Sequence, residues 1–217
     1  MSKAFYRAEC RACPRLAGFL DRVKVDNPGY FCKPVPPFGP PDATLVIVGL
    51  APGMHGANRT GFPFTGDAAG LTLYGALARH GFADDPVGLP EAPPRLHDCK
   101  ITNAVRCLPP QNRPTGDEVT RCNPYLAREL QISQSRVILT LGTVAHQATL
   151  RALGLAVATY PFAHGQRHSL PDGRLLFNSY HCSRYNMNTR RLTEQMFDSV
   201  FLDIVAALGG FPAHAGC

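Results

Sequence analysis

TLVIVGLAPGMHGANRTGFPFTGDAAG, residues 44–70, decides the architecture. Its first seven residues are uncharged and rich in β-branched side chains, the composition of a buried strand. Residues 51–70 then hold five glycines and two prolines, and Asp67 opens an amphipathic stretch expected to be helical over about 67–80, closed by Gly81. A strand, a glycine-rich turn and a helix N-terminus bring backbone N–H groups to one place, where they can meet an anion or a polar base edge. A plain core has no use for so many small residues in one loop. The loop is a site.

Outward from this loop, strand and helix signals alternate. KITNAVR (100–106) reads as a second strand, and Thr115 with Glu118 forms a capping-box pattern opening a helix to about 131. RVILTLG (136–142) is a third strand, followed by a helix over 143–153, and RLLFNSY (174–180) is a fourth. A last helix over about 189–208 spaces Leu192, Met196, Val200, Ile204 and Leu208 four apart, a buried stripe. Repeated β-α units predict an α/β fold: a three-layer αβα sandwich around a central, mostly parallel, four-stranded sheet. Ligands gather beyond the C-terminal strand ends in such folds. Three ends carry unusual chemistry: Ala51, Pro52 and Gly53 after the first strand, Asn103 in the second, and His181 after the fourth.

The length of 217 residues suits one domain with a core that needs no disulfides. An N-terminal cysteine segment, about 1–43, ends in the proline-rich connector PGYFCKPVPPFGPPD (28–42), expected to be ordered loop against that domain. No apolar run approaches a membrane span and residues 1–20 lack a signal-peptide core, so a cytosolic protein with no membrane partner is expected. The net charge of +6 tilts toward a polyanionic partner. Eighteen of the 22 basic residues are arginines, which suit phosphate contacts but also follow codon usage. No basic tail exists, so a nucleic-acid surface has to be assembled by folding.

Eight cysteines, Cys10, Cys13, Cys32, Cys99, Cys107, Cys122, Cys182 and Cys217, point to metal or cluster ligation before disulfides in a cytosolic chain. Cys10 and Cys13 form a C-x-x-C followed by Pro14, and Cys107 and Cys122 flank the proline-rich loop LPPQNRPT. A thioredoxin-type motif is disfavoured because no βαβ unit surrounds Cys10. Spacing alone leaves zinc and an iron–sulfur cluster both open.

Each remaining candidate has a bland reading beside the sharp one. His181, in NSYHCSRYN, is a surface histidine or a donor at a strand end. Asn103 bonds backbone or reads a base edge bidentately. Phe64 secures its loop in the core or gives a flat ligand a stacking platform. Asp67 caps a helix or orients a water.

CRACPRL, GLAPGMHGANRTGFPFTGDAAG, TNAVRCLPP, Cys122 and SYHCSRYNMNTR run in order through nearly the whole chain. In these motifs the sequence resembles the family 5 branch of the iron–sulfur uracil-DNA glycosylases, with GLAPG in place of the GEAPG of family 4. The resemblance implies a structural [4Fe-4S] cluster held by Cys10, Cys13, Cys107 and Cys122. It implies a uracil pocket in which Phe64 stacks on the base, Asn103 bonds its Watson–Crick edge, and backbone around Ala51, Pro52 and Gly53 lines the wall. His181 would donate to the base O2, and the loop from Ser183 through Arg184 to Asn186 would enter the minor groove. Further DNA contacts are expected from Asn58, Arg59, Arg190 and Arg191.

The reaction so implied extrudes a deaminated base from double-stranded DNA and stabilises negative charge on it as the glycosidic bond breaks. Many uracil glycosylases position water with a carboxylate in the first loop. Ala51 holds that place here, leaving Asp67 as the nearest catalytic carboxylate beside His181. No lysine lies in these motifs, so a monofunctional enzyme is expected, acting as a monomer and leaving an abasic site. Broad substrate choice is also implied: uracil, hydroxymethyluracil, ethenocytosine and hypoxanthine. A non-catalytic damaged-DNA binder with a metal or cluster staple is the rival class. An iron–sulfur redox protein is disfavoured for want of a flavin or nicotinamide fingerprint.

Overall fold

In a computed structural model, residues 6–87 and 93–210 are described, which leaves Cys217 outside. Five strands form one sheet in the order β2-β1-β3-β5-β4: β1 Leu45–Gly49, β2 Cys99–Asn103, β3 Val137–Leu141, β4 Arg167–Ser169 and β5 Leu175–Ser179. The four strands expected from sequence are mutually parallel, with Ile47 paired to Ile101 on one side and to Leu139 on the other. The sheet has one strand more than the four expected. The short β4 runs antiparallel to β5 at the edge. Its three residues are mostly exposed and carry no apolar alternation, so no periodic signal marks them.

Pleating divides the core in two. Leu45, Ile47, Leu139 and Phe177 pack against helices α3 (Ala68–Arg79) and α7 (Glu194–Leu208). Val46, Val48, Ile138 and Leu176 face the other way, toward α1 (Pro14–Asp26), α4 (Gly116–Ile132) and α5 (Thr143–Ala152). This is the αβα sandwich. Among the described residues no helix is long and apolar enough to cross a membrane.

The Thr115–Glu118 capping box forms in full and opens α4. The helix expected over about 189–208 is shorter. Ser183 caps a separate short helix, α6 (Arg184–Asn188), and Thr193 caps α7, so Leu192 enters the core from the connection between them. Two hydroxyl caps outrank a four-residue spacing that happens to extend past the helix start. α2 (Ala57–Thr60), within the glycine loop, and α1 carry no prior reading.

Candidate active site

Chain order fixes where the strand ends meet. From β1 the chain passes to β2 on one side and then to β3 on the other, and a crevice opens where this direction switches. A cavity of about 580 Å³ lies there, walled by Leu50, Ala51, Gly53, Phe64, Asp67, Asn103, Leu141, Gly142 and His181. The residues picked from three separate sequence motifs therefore share one space.

Close packing of the glycine loop shapes its wall. A Cβ on Gly49 would run into Asn103 Oδ1 and the Phe64 ring, and one on Gly56 would run into the Asp67 carboxylate. Phe64 itself takes a left-handed backbone with φ 56° and places its ring 5.8 Å from that of His181, the two planes 26° apart. Asn103 ends β2 at 5% exposure, and its Oδ1 is buried with no partner. A buried, unmatched carbonyl on a cavity wall is an acceptor awaiting a donor.

Asp67 divides its two oxygens. Oδ1 accepts from Gly70 N at 2.9 Å and caps α3, while Oδ2 lies against Gly53 and Gly56. Burial raises its pKa, opposed by the Gly70 and Ala69 N–H groups and by the nearby Arg184 cation. Burial drives His181 down to about 4, so its imidazole is neutral near pH 7. The backbone around His181 is braced on several sides. Asn186 Nδ2 donates to its carbonyl at 2.8 Å, and the next residue, Cys182, donates its thiol to Ala69 O. Just before it, Tyr180 N donates to His164 Nδ1 at 3.2 Å, while Arg191 sits 4.7 Å over the Tyr180 ring.

Residues 36–205 match the description of the uracil DNA glycosylase superfamily. The chain belongs to that superfamily. It is 44% identical to the type-5 uracil-DNA glycosylase of Thermus thermophilus over 89% of this chain and 91% of that one. It is 42% identical to the type-5 uracil-DNA glycosylase of Mycobacterium leprae, over 89% of each chain. The type-5 uracil-DNA glycosylase of Pyrobaculum aerophilum is 38% identical, with 92% and 89% covered. The branch expected from GLAPG agrees with these relatives.

For a member of this superfamily, the outer face matters as much as the cavity. Ser183 and Arg184 line the cavity, and Arg184 and Arg190 are exposed. One expected DNA contact is turned inward. Asn58 is fully buried, its Nδ2 donating to Cys32 Sγ at 3.5 Å, because α2 folds inward over Cys32. Asn186 spends its amide on the His181 carbonyl. Arg59 is half-buried, with Nε on His55 O and a guanidinium nitrogen against Gly66. Pro52 is buried and is not part of the cavity wall.

The structure adds residues that the motifs did not flag. Thr143 and Val144, at the start of α5, and Asn112 line the same cavity, as does Tyr185, which is 72% exposed. The glycine between β3 and α5 repeats in miniature the strand–glycine–helix signal of the first loop, and it was the available clue to Thr143. Tyr185 is an aromatic in a polar run, the same kind of clue as Phe64.

On the α4 side of the sheet, Cys10, Cys13, Cys107 and Cys122 all line a second cavity, of about 30 Å³, together with Tyr6, Arg106 and Tyr125. Cys13 is the N-cap residue of α1 and Cys122 lies in α4. Burial pushes the Cys107 thiol up to about 12, with the three neighbouring cysteines adding to the rise. Four such thiols ionise together only beside a cationic centre. Among the described residues no three His, Cys, Asp or Glu side chains are gathered to hold one metal ion. The segment is also tied down without a ligand. Arg15 makes a bidentate pair with Glu118, at 2.8 and 2.7 Å, and Arg121 Nη1 donates to Ala12 O at 3.1 Å.

Proposed function

We propose that this protein removes uracil from double-stranded DNA by hydrolysing the N-glycosidic bond, leaving an abasic site. The observation that carries the proposal is the convergence of Phe64, Asn103, Asp67 and His181 on one cavity at the sheet's switch point. The type-5 uracil-DNA glycosylases similar to this chain over about nine-tenths of its length support the same reading.

In this scheme the target nucleotide leaves the stack at a cost on the order of a few kcal/mol, least at a mismatch. Phe64 gives the extruded base a flat surface, and the orphaned Asn103 carbonyl accepts from the base edge. As the C1′–N1 bond breaks, negative charge grows on the departing base. A neutral His181 N–H, already placed, stabilises that charge more in the transition state than in the ground state. Asp67 keeps Oδ1 on its helix cap and uses Oδ2 to orient the attacking water, a duty Ala51 cannot perform. Arg184, Arg190 and Arg191 grip phosphates, with Arg59 in a minor part. With no first-loop carboxylate crowding the base, hydroxymethyluracil, ethenocytosine and hypoxanthine also fit the scheme.

The four-cysteine cavity suits a [4Fe-4S] cluster held by Cys10, Cys13, Cys107 and Cys122. A cubane cluster spreads its thiolates over four irons, whereas a single tetrahedral zinc draws them to one point. All four cysteines line one cavity, the number of thiolates a cubane takes, and the family resemblance favours the cluster. When bound, the cluster serves as a structural cross-link between the N-terminal segment, the loop after β2 and α4.

Incubation with a duplex oligonucleotide carrying one uracil, followed by alkali, tests the function. Strand cleavage at the uracil position is expected. Uncut DNA at stoichiometric protein, with the duplex bound, would establish the non-catalytic binder instead.

A further inference from the structure

One ion pair, between the segment after β2 and α4, is almost wholly buried. Arg106 is 4% exposed and Glu129 is fully buried, with Nη2 and Oε2 2.5 Å apart. The same Oε2 accepts from Thr102 Oγ1 at 2.9 Å. Two atoms of the pair are buried without a partner: Arg106 Nη1 and Glu129 Oε1. A buried ion pair is weak evidence of stabilisation, since an apolar pair of similar volume often does as well or better. An unmatched guanidinium donor adds to the penalty. Its place in the fold suggests why it is there.

Arg106 lines the four-cysteine cavity together with Cys122. Glu129 lies on α4, the helix that carries Cys122. Thr102 immediately precedes Asn103, and the pleat sends the two side chains to opposite faces, Thr102 toward α4 and Asn103 into the base cavity. Only four positions separate Asn103 from Cys107. Between them Ala104 N and Val105 N donate to Gly49 O and Leu50 O at 2.9 and 3.0 Å, so the segment is held against the end of β1.

We propose that Arg106 and Glu129 form a buried charged strut through which the four-cysteine site positions Asn103, with Arg106 Nη1 donating to a sulfur of the group those cysteines hold. The inference rests on the cluster reading above. Four thiolates leave a [4Fe-4S] centre net anionic, and the strut turns its cationic end toward them. Its anionic end fixes the Thr102 hydroxyl and with it the pleat that aims Asn103. Both residues are positioning residues, since neither reaches the base.

The test uses the purified holoprotein and the double variant R106M/E129Q, which removes both charges so that neither is left buried alone. Arg106→Lys, which keeps the charge and loses the fork, is measured beside it in case the double variant fails to fold. Visible absorption and the iron and sulfide content of the wild type come first. A wild type without iron overturns the cluster reading, and the strut falls with it.

Given a loaded wild type, the reduction potential of either variant shifts negative, because a donor that stabilises the added electron is lost. Half-saturation for a uracil duplex in single turnover rises about tenfold when Asn103 is present and no more than about twofold in an Asn103→Ala background. A wild-type potential in the variants, or equal losses in both backgrounds, overturns the strut while leaving the cluster reading intact.

Discussion

Asp67 and His181 show how a few atoms of burial set the chemistry. Asp67→Asn keeps an oxygen for the Gly70 N–H, so the α3 cap survives while the charge proposed to orient water is gone. Single-turnover excision is expected to fall about tenfold or more, with a melting temperature near that of the wild type. A parallel loss of stability would assign the residue to capping alone. His181 carries a pH signature of its own. Its folded value of about 4 lies below the unfolded value near 6.5, so between the two the unfolded chain binds more protons. Stability contributed by this group is therefore complete above about pH 6.5 and is lost as pH falls toward 4. Urea unfolding at pH 7.5 and pH 5 reads the loss, and His181→Gln removes its share of the pH dependence.

At the scale of elements, the glycine loop works because neighbouring elements approach where a methyl group does not fit. Gly49→Ala pushes a Cβ into the Asn103 carbonyl and to 2.7 Å from the Phe64 ring, across the junction of β1, β2 and the loop. Overpacking of this kind is expected to cost about 1–3 kcal/mol and to weaken uracil binding more than tenfold. Thermal unfolding and a uracil-duplex titration check the two effects. Three of the four parallel strands were legible with the help of end residues out of keeping with a strand, Ala51-Pro52-Gly53, Asn103 and His181, and β3 by its apolar run alone. The α4 start was legible because Thr115 and Glu118 act on each other within one turn. β4 was not, since an edge strand of three residues has no buried face to write an alternation. The start of α7 was misplaced because Leu192 is buried from a loop, and burial alone does not distinguish the two. Asn58 was misassigned because a polar residue beside Arg59 in a glycine loop reads as surface, whereas the fold turns it onto Cys32. Thr143 and Tyr185 carry only faint local signals, a glycine after a strand and an aromatic in a polar run, and the order of strands brings them to the cavity.

For the whole molecule, one face carries the chemistry and the opposite layer ties the chain together. The cavity mouth bears Arg184, and Arg190 is exposed shortly beyond it in the same segment. If Arg184, Arg190 and Arg191 each hold a phosphate, log affinity for duplex DNA falls with log salt at a slope of about −3. Replacing any one with Ala reduces that slope by about 0.9, and a salt titration of the dissociation constant reads it directly. An unchanged slope would remove that arginine from the DNA face. In the proposed reaction, charge stabilisation by a neutral imidazole at the end of β5 is the step on which uracil release depends. The most direct measurement is the single-turnover rate of uracil release from a duplex by wild type and His181→Ala, with the dissociation constant determined in parallel. The expected rate for His181→Ala is lower by about two to three orders of magnitude at nearly unchanged affinity. A variant that releases uracil at the wild-type rate would contradict it.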